Sequence, residues 1–200
     1  MLFGRILPRS FYARSTVEVA RGLLGKVLVH GPTAGIIVET EAYLGGEDLA
    51  AHSARGLTQR TRVIFGPPGH AYVYLIYGMY ECLNLVAERD GRPGCVLIRA
   101  LQPVSGVDLM RARRGATRKL EQLANGPGKL TLALGITRAH NGADVTRGAL
   151  VVRQAPGAGE IEIAVTPRIG ITRSPELPLR FLMAGNGFLS AGRYNEPSLK

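Results

Sequence analysis

The stretch from residue 71 to residue 87 constrains the fold of this chain more than any other part of the sequence. Segments 71–77 and 80–87 are rich in aromatic and branched apolar residues, which favour β-strands. The intervening Gly78-Met79 is short enough to join them as an antiparallel β-hairpin. Because an isolated hairpin is only marginally stable in water, the rest of the chain is expected to complete a sheet around it.

The other apolar segments are short and predict an alternation of strands and helices. Ser15 and Glu18 form a capping box, so a helix is expected to begin there and to end at Gly25. A second helix is expected after Pro103, with a cap within 105–108. Further strands are predicted over 26–30, 35–43, 94–101, 150–153, 160–166 and 179–183, a helical run over 129–134, and a long loop over 44–70. We therefore expect one α+β domain over residues 1–200, with a mostly antiparallel β-sheet, flanking helices and a protruding β-hairpin.

The charge of the chain favours an anionic partner. Lys and Arg number 25 against 15 Asp and Glu, which gives a formal net charge of +10, and 21 of the 25 are Arg. Arg binds phosphate in a bidentate manner, which fits a nucleic-acid partner, although a GC-rich genome produces the same bias. The 46% hydrophobic content excludes general disorder. No apolar run reaches the roughly 20 residues of a membrane span, and the first ten residues lack a signal peptide, so a cytoplasmic bacterial protein without a membrane partner is expected.

Cys82 and Cys95 both lie within predicted strands, where reduced thiols contribute to a core. Two cysteines are too few for a zinc ribbon or an iron–sulfur cluster. No other spacing in the sequence indicates a metal site or a cofactor, and we expect neither.

A first candidate site lies in the strand that ends at Tyr43. Alternate residues of a strand share a face, so Ile37, Glu39, Glu41 and Tyr43 are expected to point the same way. Two carboxylates and a phenol could hold a water molecule or a sugar, although alternating polar residues also mark the solvated face of many sheets. Arg99 lies in an apolar strand, where a guanidinium needs a carboxylate partner. Glu39 and Glu41 are its candidates.

Four of the seven tyrosines lie within the predicted hairpin, at positions 72, 74, 77 and 80. Cross-strand aromatic packing accounts for such a cluster. Residues at a hairpin turn are exposed, however, and an exposed ring on a basic protein is equally suited to stack on bases or to wedge between them. Both interpretations stay open at this level.

His52 and Asn84 are polar residues in contrasting contexts. His52 lies in the long predicted loop, where a His is either exposed and without function or part of a site. Asn84 lies within an apolar strand, where an unpaired amide costs about 1–3 kcal/mol. A base edge and a neighbouring main-chain group are both candidate partners for Asn84.

Taken together and in order, these segments are similar to the methylpurine (alkyladenine, 3-methyladenine) DNA glycosylases. The resemblance runs from about residue 7 to residue 190 and rests on segments 37–45, 47–53, 72–80, 96–103, 126–130 and 168–171. It implies a monofunctional repair enzyme that flips a damaged purine (3-methyladenine, hypoxanthine, 1,N6-ethenoadenine or 7-methylguanine) out of duplex DNA and hydrolyses its N-glycosidic bond, which initiates base excision repair. Double-stranded DNA is then the partner, and we expect a monomer.

The resemblance assigns roles in the reaction. Glu41 matches the general base that activates water for attack at C1′ of the deoxyribose. Arg99 and the main-chain carbonyl of Ile169 match groups that place this water. A lyase would need an amine nucleophile, and Lys129 follows Gly-Pro-Gly at a predicted helix start, a position that suits a DNA phosphate instead.

The resemblance also assigns roles in base recognition. Tyr43 and His52 are expected on one face of the flipped purine and Tyr74 on the other, where a cationic alkylpurine gains a cation–π interaction of roughly 1–2 kcal/mol. Tyr77 matches the wedge that replaces the extruded nucleotide, with Met79 beside it.

The remaining matches concern selectivity and the DNA backbone. Asn84 matches a residue that rejects the exocyclic amino group of guanine, and the main-chain N–H of His52 is expected to donate to the 6-position of the base. Arg60 and Arg62 are candidates for phosphate contacts. The basic run over 111–119 is another candidate, although solvation of a helix face explains it equally well.

Two other function classes fit parts of this pattern. A non-catalytic module that senses DNA damage would keep a wedge and a pocket but has no need for Glu41. An RNA-binding domain related by fold alone would explain the charge and the tyrosines but not the combination of Glu41, Arg99 and Asn84. The glycosylase interpretation accounts for all of these features.

Overall fold

The structure is a computed structural model that describes residues 3–116, 118–157 and 159–190. Antiparallel strands dominate this part of the chain. The strands are β1 (Val27–His30), β2 (Thr33–Tyr43), β3 (Ala71–Ile76), β4 (Tyr80–Val86), β5 (Cys95–Ser105), β6 (Leu150–Arg153), β7 (Ile163–Thr166) and β8 (Arg180–Met183). The helices are α1 (Arg9–Tyr12), α2 (Thr16–Leu23), α3 (Val107–Arg114) and α4 (Pro127–Leu134), with 3₁₀ turns at His52–Arg55, Leu120–Gln122 and Arg138–His140. The predicted α+β class with an antiparallel sheet is confirmed.

The strand order places the two long strands side by side. It runs β3-β4-β5-β2-β1-β6, and the pairs within it are antiparallel. One edge of β2 pairs with β5. The other edge pairs with β1 near its beginning and with β8 near its end, and β8 also pairs with β7. This sharing curls the sheet and leaves β3, β4, β5 and the end of β2 as neighbours.

The main apolar core lies between the sheet and helices α2 and α4. Helix α2 follows the capping box, and α4 begins at Pro127. The capping box is confirmed, because the Ser15 side chain accepts from the Glu18 N–H and the Glu18 carboxylate accepts from the Ser15 N–H. Gly25 then takes a φ of +74°, which other residues adopt only with strain. None of the described helices is long and apolar enough to cross a membrane. The buried residues that α2 and α4 contribute to the core include Val19, Ala20, Leu23, Leu130, Ala133 and Leu134.

Strand β5 is longer than predicted and ends at Ser105, only two residues before the first residue of α3. It continues through Pro103, which pairs with Gly35 next to a register shift in β2, an arrangement that tolerates the missing N–H of proline. Helix α3 begins within the predicted range 105–108, but the predicted side-chain cap is wrong. The Ser105 hydroxyl donates to the carbonyl of Pro32 over 3.3 Å, and α3 follows Gly106, whose φ is +67° and which offers no side-chain cap.

The β3–β4 pair ends in a tight turn. Its central residues are Tyr77 and Gly78, one position earlier than predicted, with φ values of +53° and +69°. Positive φ at both positions is the signature of a type I′ turn, and the Met79 N–H donates to the Ile76 carbonyl over 3.2 Å. Tyr77 and Met79 are 79% and 70% exposed. That this hairpin protrudes from the protein stays a prediction.

Candidate active site

A cleft of about 680 Å³ opens on the face of β3, β4, β5 and the end of β2. The strand register sets Tyr72, Asn84, Leu97 and Glu41 in one row across these four strands, so their side chains share one face of the sheet. Eight of the predicted site residues line the cleft: Tyr43, His52, Tyr74, Tyr77, Asn84, Arg99, Lys129 and Ile169.

Glu41 lies fully buried beneath this surface and is held by three donors. Its Oε2 accepts from the Tyr43 hydroxyl over 3.0 Å and from Arg99 Nη1 over 3.2 Å. Its Oε1 accepts from the main-chain N–H of Ile169 over 2.7 Å. The placing of a water molecule by the carbonyl of Ile169 stays a prediction. A carboxylate has about four lone-pair positions, which leaves one for a further donor such as water.

Glu39 is equally buried and is contacted by four donors, three of them at Oε1. Its oxygens accept from Arg99 Nε (3.1 Å), Arg180 Nε (2.7 Å), the Ser190 hydroxyl (2.8 Å) and the Ser190 N–H (2.7 Å). The prediction that Arg99 pairs with a carboxylate is confirmed, and Arg99 pairs with both Glu39 and Glu41 rather than with one of them. The alternative that these residues form a solvated face is wrong. Arg180 escaped prediction, although it too lies in an apolar strand and the same reasoning applies to it.

A β-bulge directs Arg99 between the two carboxylates. The register passes from the pair Glu39–Ala100 directly to the pair Thr40–Ile98, so Arg99 is the extra residue of β5. Bulges bend a strand and change the direction of the side chain they carry. The local irregularity thus places one guanidinium within reach of two acidic groups that lie two residues apart.

The aromatic residues are grouped differently from the prediction. His52 packs edge-to-face on Tyr74, with ring centres 4.6 Å apart, and its Nδ1 lies 3.0 Å from the Tyr72 hydroxyl. A purine does not fit between rings this close, so His52 and Tyr74 form one wall and the expected grouping of His52 with Tyr43 is not observed. Burial, followed by the charges of Arg60 and Arg55, lowers the pKa of His52 to about 4.

Asn84 has its amide satisfied by the protein. Its Nδ2 donates to the Tyr72 carbonyl over 3.2 Å, and the Cys95 thiol donates to its Oδ1 over 3.9 Å. Of the two candidate partners from the sequence, the main-chain group is therefore the one observed. The predicted core thiols are confirmed as free and buried. Burial raises the pKa of Cys82 to about 11 and that of Cys95 to about 12, so both stay protonated.

A buried ion pair that the sequence analysis missed lies behind Tyr43. Arg168 Nη1 and Nη2 lie 2.6 and 2.8 Å from the two oxygens of Asp48, and Nη1 also donates to the Ala42 carbonyl over 3.0 Å. Burial alone would raise the pKa of Asp48, but the hydrogen bonds from Arg168 and from the Leu44 N–H lower it. Both residues of the pair lie in segments that carry the family resemblance, which was the available signal.

Comparison with known proteins identifies the family to which this cleft belongs. The sequence model of the methylpurine-DNA glycosylase (MPG) family matches residues 10–187. The chain belongs to this family. It is therefore a DNA glycosylase, a hydrolase that acts on N-glycosyl bonds, and its substrate is DNA.

Individual relatives of the glycosylase match nearly its whole length, and each bears the provisional name 3-methyladenine DNA glycosylase. The protein of Methanoculleus marisnigri is 54% identical over 190 residues, 92% of this chain and 98% of the relative. That of Methanocella arvoryzae is 54% identical over 180 residues, 88% and 89% of the two chains. That of Koribacter versatilis is 49% identical over 195 residues, 94% of each.

One end of the glycosylase cleft is strongly basic. Lys129, in the first turn of α4, lines it together with Arg114 and Arg118, and Lys129 Nζ donates to Asn125 Oδ1 over 2.9 Å. Burial and the two like charges lower the pKa of Lys129. By contrast, Arg113 of the same basic run donates to the Ala133 carbonyl over 2.9 Å, which stabilises the end of α4.

The other residues proposed from the sequence to contact DNA lie outside the glycosylase cleft. Arg60 and Arg62 are exposed. Arg60 lines a second recess, of about 230 Å³, along the outer edge of β3, and its Cζ lies 5.3 Å from the ring centre of Tyr74. Among the described residues, no group of three or more His, Cys, Asp or Glu side chains could hold a metal ion.

Proposed function

We propose that the protein flips a damaged purine from duplex DNA into the cleft and hydrolyses its N-glycosidic bond without cutting the strand. The observation that carries this proposal is the buried Glu41 carboxylate, oriented by Tyr43, Arg99 and Ile169. A carboxylate with one lone-pair position left suits a general base that takes a proton from the attacking water. Glu39 suits that role less well, because it is held between two guanidinium groups and accepts from four donors rather than three.

The flipped purine would stack between Tyr43 on one side and the wall of His52 and Tyr74 on the other. Flat aromatic surfaces are what an enzyme needs to hold an unstacked base. We propose 3-methyladenine, hypoxanthine, 1,N6-ethenoadenine and 7-methylguanine as the released bases, of which the first appears in the names of the relatives. Asn84, which lines the same cleft, is proposed to exclude the amino group of normal guanine.

Tyr77 is proposed as the wedge that fills the space left in the duplex. A bulky side chain at a φ of +53° is strained, and strain of this kind concentrates at functional positions. Tyr77 is also 79% exposed, so packing in the free protein does not explain its conformation. Met79, exposed in the same turn, would contact the adjacent base pair.

The basic end of the cleft is proposed to bind the DNA backbone. Lys129, Arg114 and Arg118 repel one another there, and a phosphate between them would relieve that repulsion. The free N–H groups at the start of α4 add to the attraction for an anion. Arg60 and Arg62 would extend the contact along the strand.

The same role for Lys129 supports a monofunctional reaction. Lys129 lines the cleft and already donates to Asn125, so we propose that it binds phosphate rather than attacking C1′. Incubation with lesion DNA and borohydride should then trap no covalent complex, and strands should break only after alkali. A trapped complex would show a lyase step.

Base release from duplexes carrying hypoxanthine, 1,N6-ethenoadenine or 3-methyladenine tests the proposal as a whole. The wild-type protein should release at least one of them, and Glu41→Gln should still bind the same duplex without releasing it. Tight lesion binding by the wild-type protein without release of any base would instead favour the damage-sensing module.

A further inference from the structure

Each tyrosine wall of the cleft lies against a guanidinium group that does not itself line the cleft. Behind Tyr43, the Cζ of Arg168 lies 4.7 Å from the ring centre. Tyr43 lines the cleft, whereas Arg168 is buried and fixed by its ion pair with Asp48. This cation therefore meets the rear face of the ring.

The second wall has the same arrangement. Tyr74 lines both the cleft and the recess at the edge of β3. Arg60 lines the recess, with its Cζ 5.3 Å from the centre of the Tyr74 ring. A cation that does not line the cleft therefore lies against this ring too.

The charge of Arg60 is felt by a residue that lines the cleft. His52 stands in the Tyr74 wall, and after burial the largest cause of its lowered pKa is the charge of Arg60. In the floor, the carboxylates of Glu39 and Glu41 are matched by the guanidinium groups of Arg99 and Arg180, and behind Tyr43 the carboxylate of Asp48 offsets part of the charge of Arg168.

We propose that Arg168 and Arg60 are specificity-determining residues that reduce the preference of the site for cationic purines and favour neutral ones. A cation on one face of an aromatic ring uses the attraction that a second cation would find on the other face, and the two cations repel through the ring. The inference rests on the proposed function and concerns its substrate class. This proposal replaces the expectation that a cationic alkylpurine gains a favourable cation–π interaction with these aromatic walls.

The test compares a cationic base, 7-methylguanine, with a neutral one, hypoxanthine, in otherwise identical duplexes. Single-turnover release rates are measured with excess enzyme after subtraction of spontaneous release. Arg60→Gln should raise the ratio of the 7-methylguanine rate to the hypoxanthine rate by about fivefold, since the ring regains its attraction for cations. Arg62→Gln is the matched control. It removes a neighbouring exposed charge outside both the cleft and the recess, so it should slow both substrates alike and leave the ratio unchanged.

A second variant tests the other wall. The double variant Asp48→Asn with Arg168→Met removes both charges of the buried pair, which is better tolerated than removing one. It should shift the ratio in the same direction but by less, because Asp48 offsets part of the charge that Arg168 presents to the Tyr43 ring. Its melting temperature shows whether it folds, and Arg60→Gln decides the matter if it does not. An unchanged ratio in Arg60→Gln, with both bases released, overturns this inference and leaves the glycosylase proposal intact. Release of neither base by the wild-type protein overturns the proposed function itself.

Discussion

The hydroxyl of Tyr43 donates to Oε2 of Glu41 over 3.0 Å, so the residue that forms one wall of the cleft also orients the carboxylate beneath it. Burial and the nearby charge of Glu41 raise the pKa of Tyr43, which keeps its proton available for this bond. Base stacking and water activation thus share one residue in the proposed mechanism.

From the geometry of the hairpin turn, we expect a substitution of Tyr77 to increase the stability of the protein and to decrease its activity. Tyr77 and Gly78 occupy the central positions of a type I′ turn, where Asn-Gly is the favoured sequence. Tyr77→Asn should therefore raise the free energy of unfolding in urea by about 0.5–1 kcal/mol, because a strained φ is relieved.

The same substitution should slow base release, and more for hypoxanthine in a stable pair with cytosine than for hypoxanthine in a mispair. The reason is that a wedge matters most where extrusion costs most. Equal slowing on both duplexes would indicate that Tyr77 only packs against the hairpin.

The basic end of the cleft predicts a change in salt dependence. The logarithm of the association constant for duplex DNA should fall with the logarithm of salt concentration, with a slope of roughly −0.9 per phosphate contacted. Lys129→Gln should make this slope shallower by about 0.9, measured by fluorescence anisotropy. Arg147→Gln removes an exposed charge paired with Asp144, outside the cleft, and should leave the slope unchanged. Equal slopes for all three proteins would contradict the assignment of Lys129.

His52 predicts a loss of stability at acidic pH. The pKa of this ring is lowered from 6.5 to about 4 in the folded protein, so between these values the unfolded chain binds a proton that the folded one does not. The free energy of unfolding must then fall as the pH falls through this range. Allowing for the partial exposure of the ring, we expect the wild-type protein to lose about 1 kcal/mol more than His52→Gln between about pH 7.5 and about pH 5. The free energies of unfolding are measured with urea at both pH values. An equal loss of stability in the wild-type protein and in His52→Gln would contradict this prediction.

Local signals in the sequence predicted the elements that depend on neighbouring residues. The Ser15–Glu18 capping box is one, since both halves lie within one helical turn. Helix α1 escaped prediction because four residues show no periodicity. The length of β5 escaped it because Pro103 is tolerated only through pairing with a distant irregular segment of β2.

The site is formed by contacts between strands that lie far apart in the sequence. Local sequence patterns do not predict such contacts. Arg99 could be predicted to need a carboxylate, but its contact with both Glu39 and Glu41 depends on a bulge. The ion pair of Asp48 and Arg168 joins residues 120 positions apart in the sequence. Sequence resemblance located these segments without showing which side chains would touch.

The single-turnover rate of hypoxanthine release by Glu41→Gln tests the central claim most directly. Loss of a general base should slow release by about a thousandfold, while duplex binding is retained. Glu47→Gln removes the same charge from an exposed position in the adjoining loop and should keep the wild-type rate. A Glu41→Gln rate within a few-fold of wild type would contradict the account, because the oriented carboxylate would then not be what activates the water.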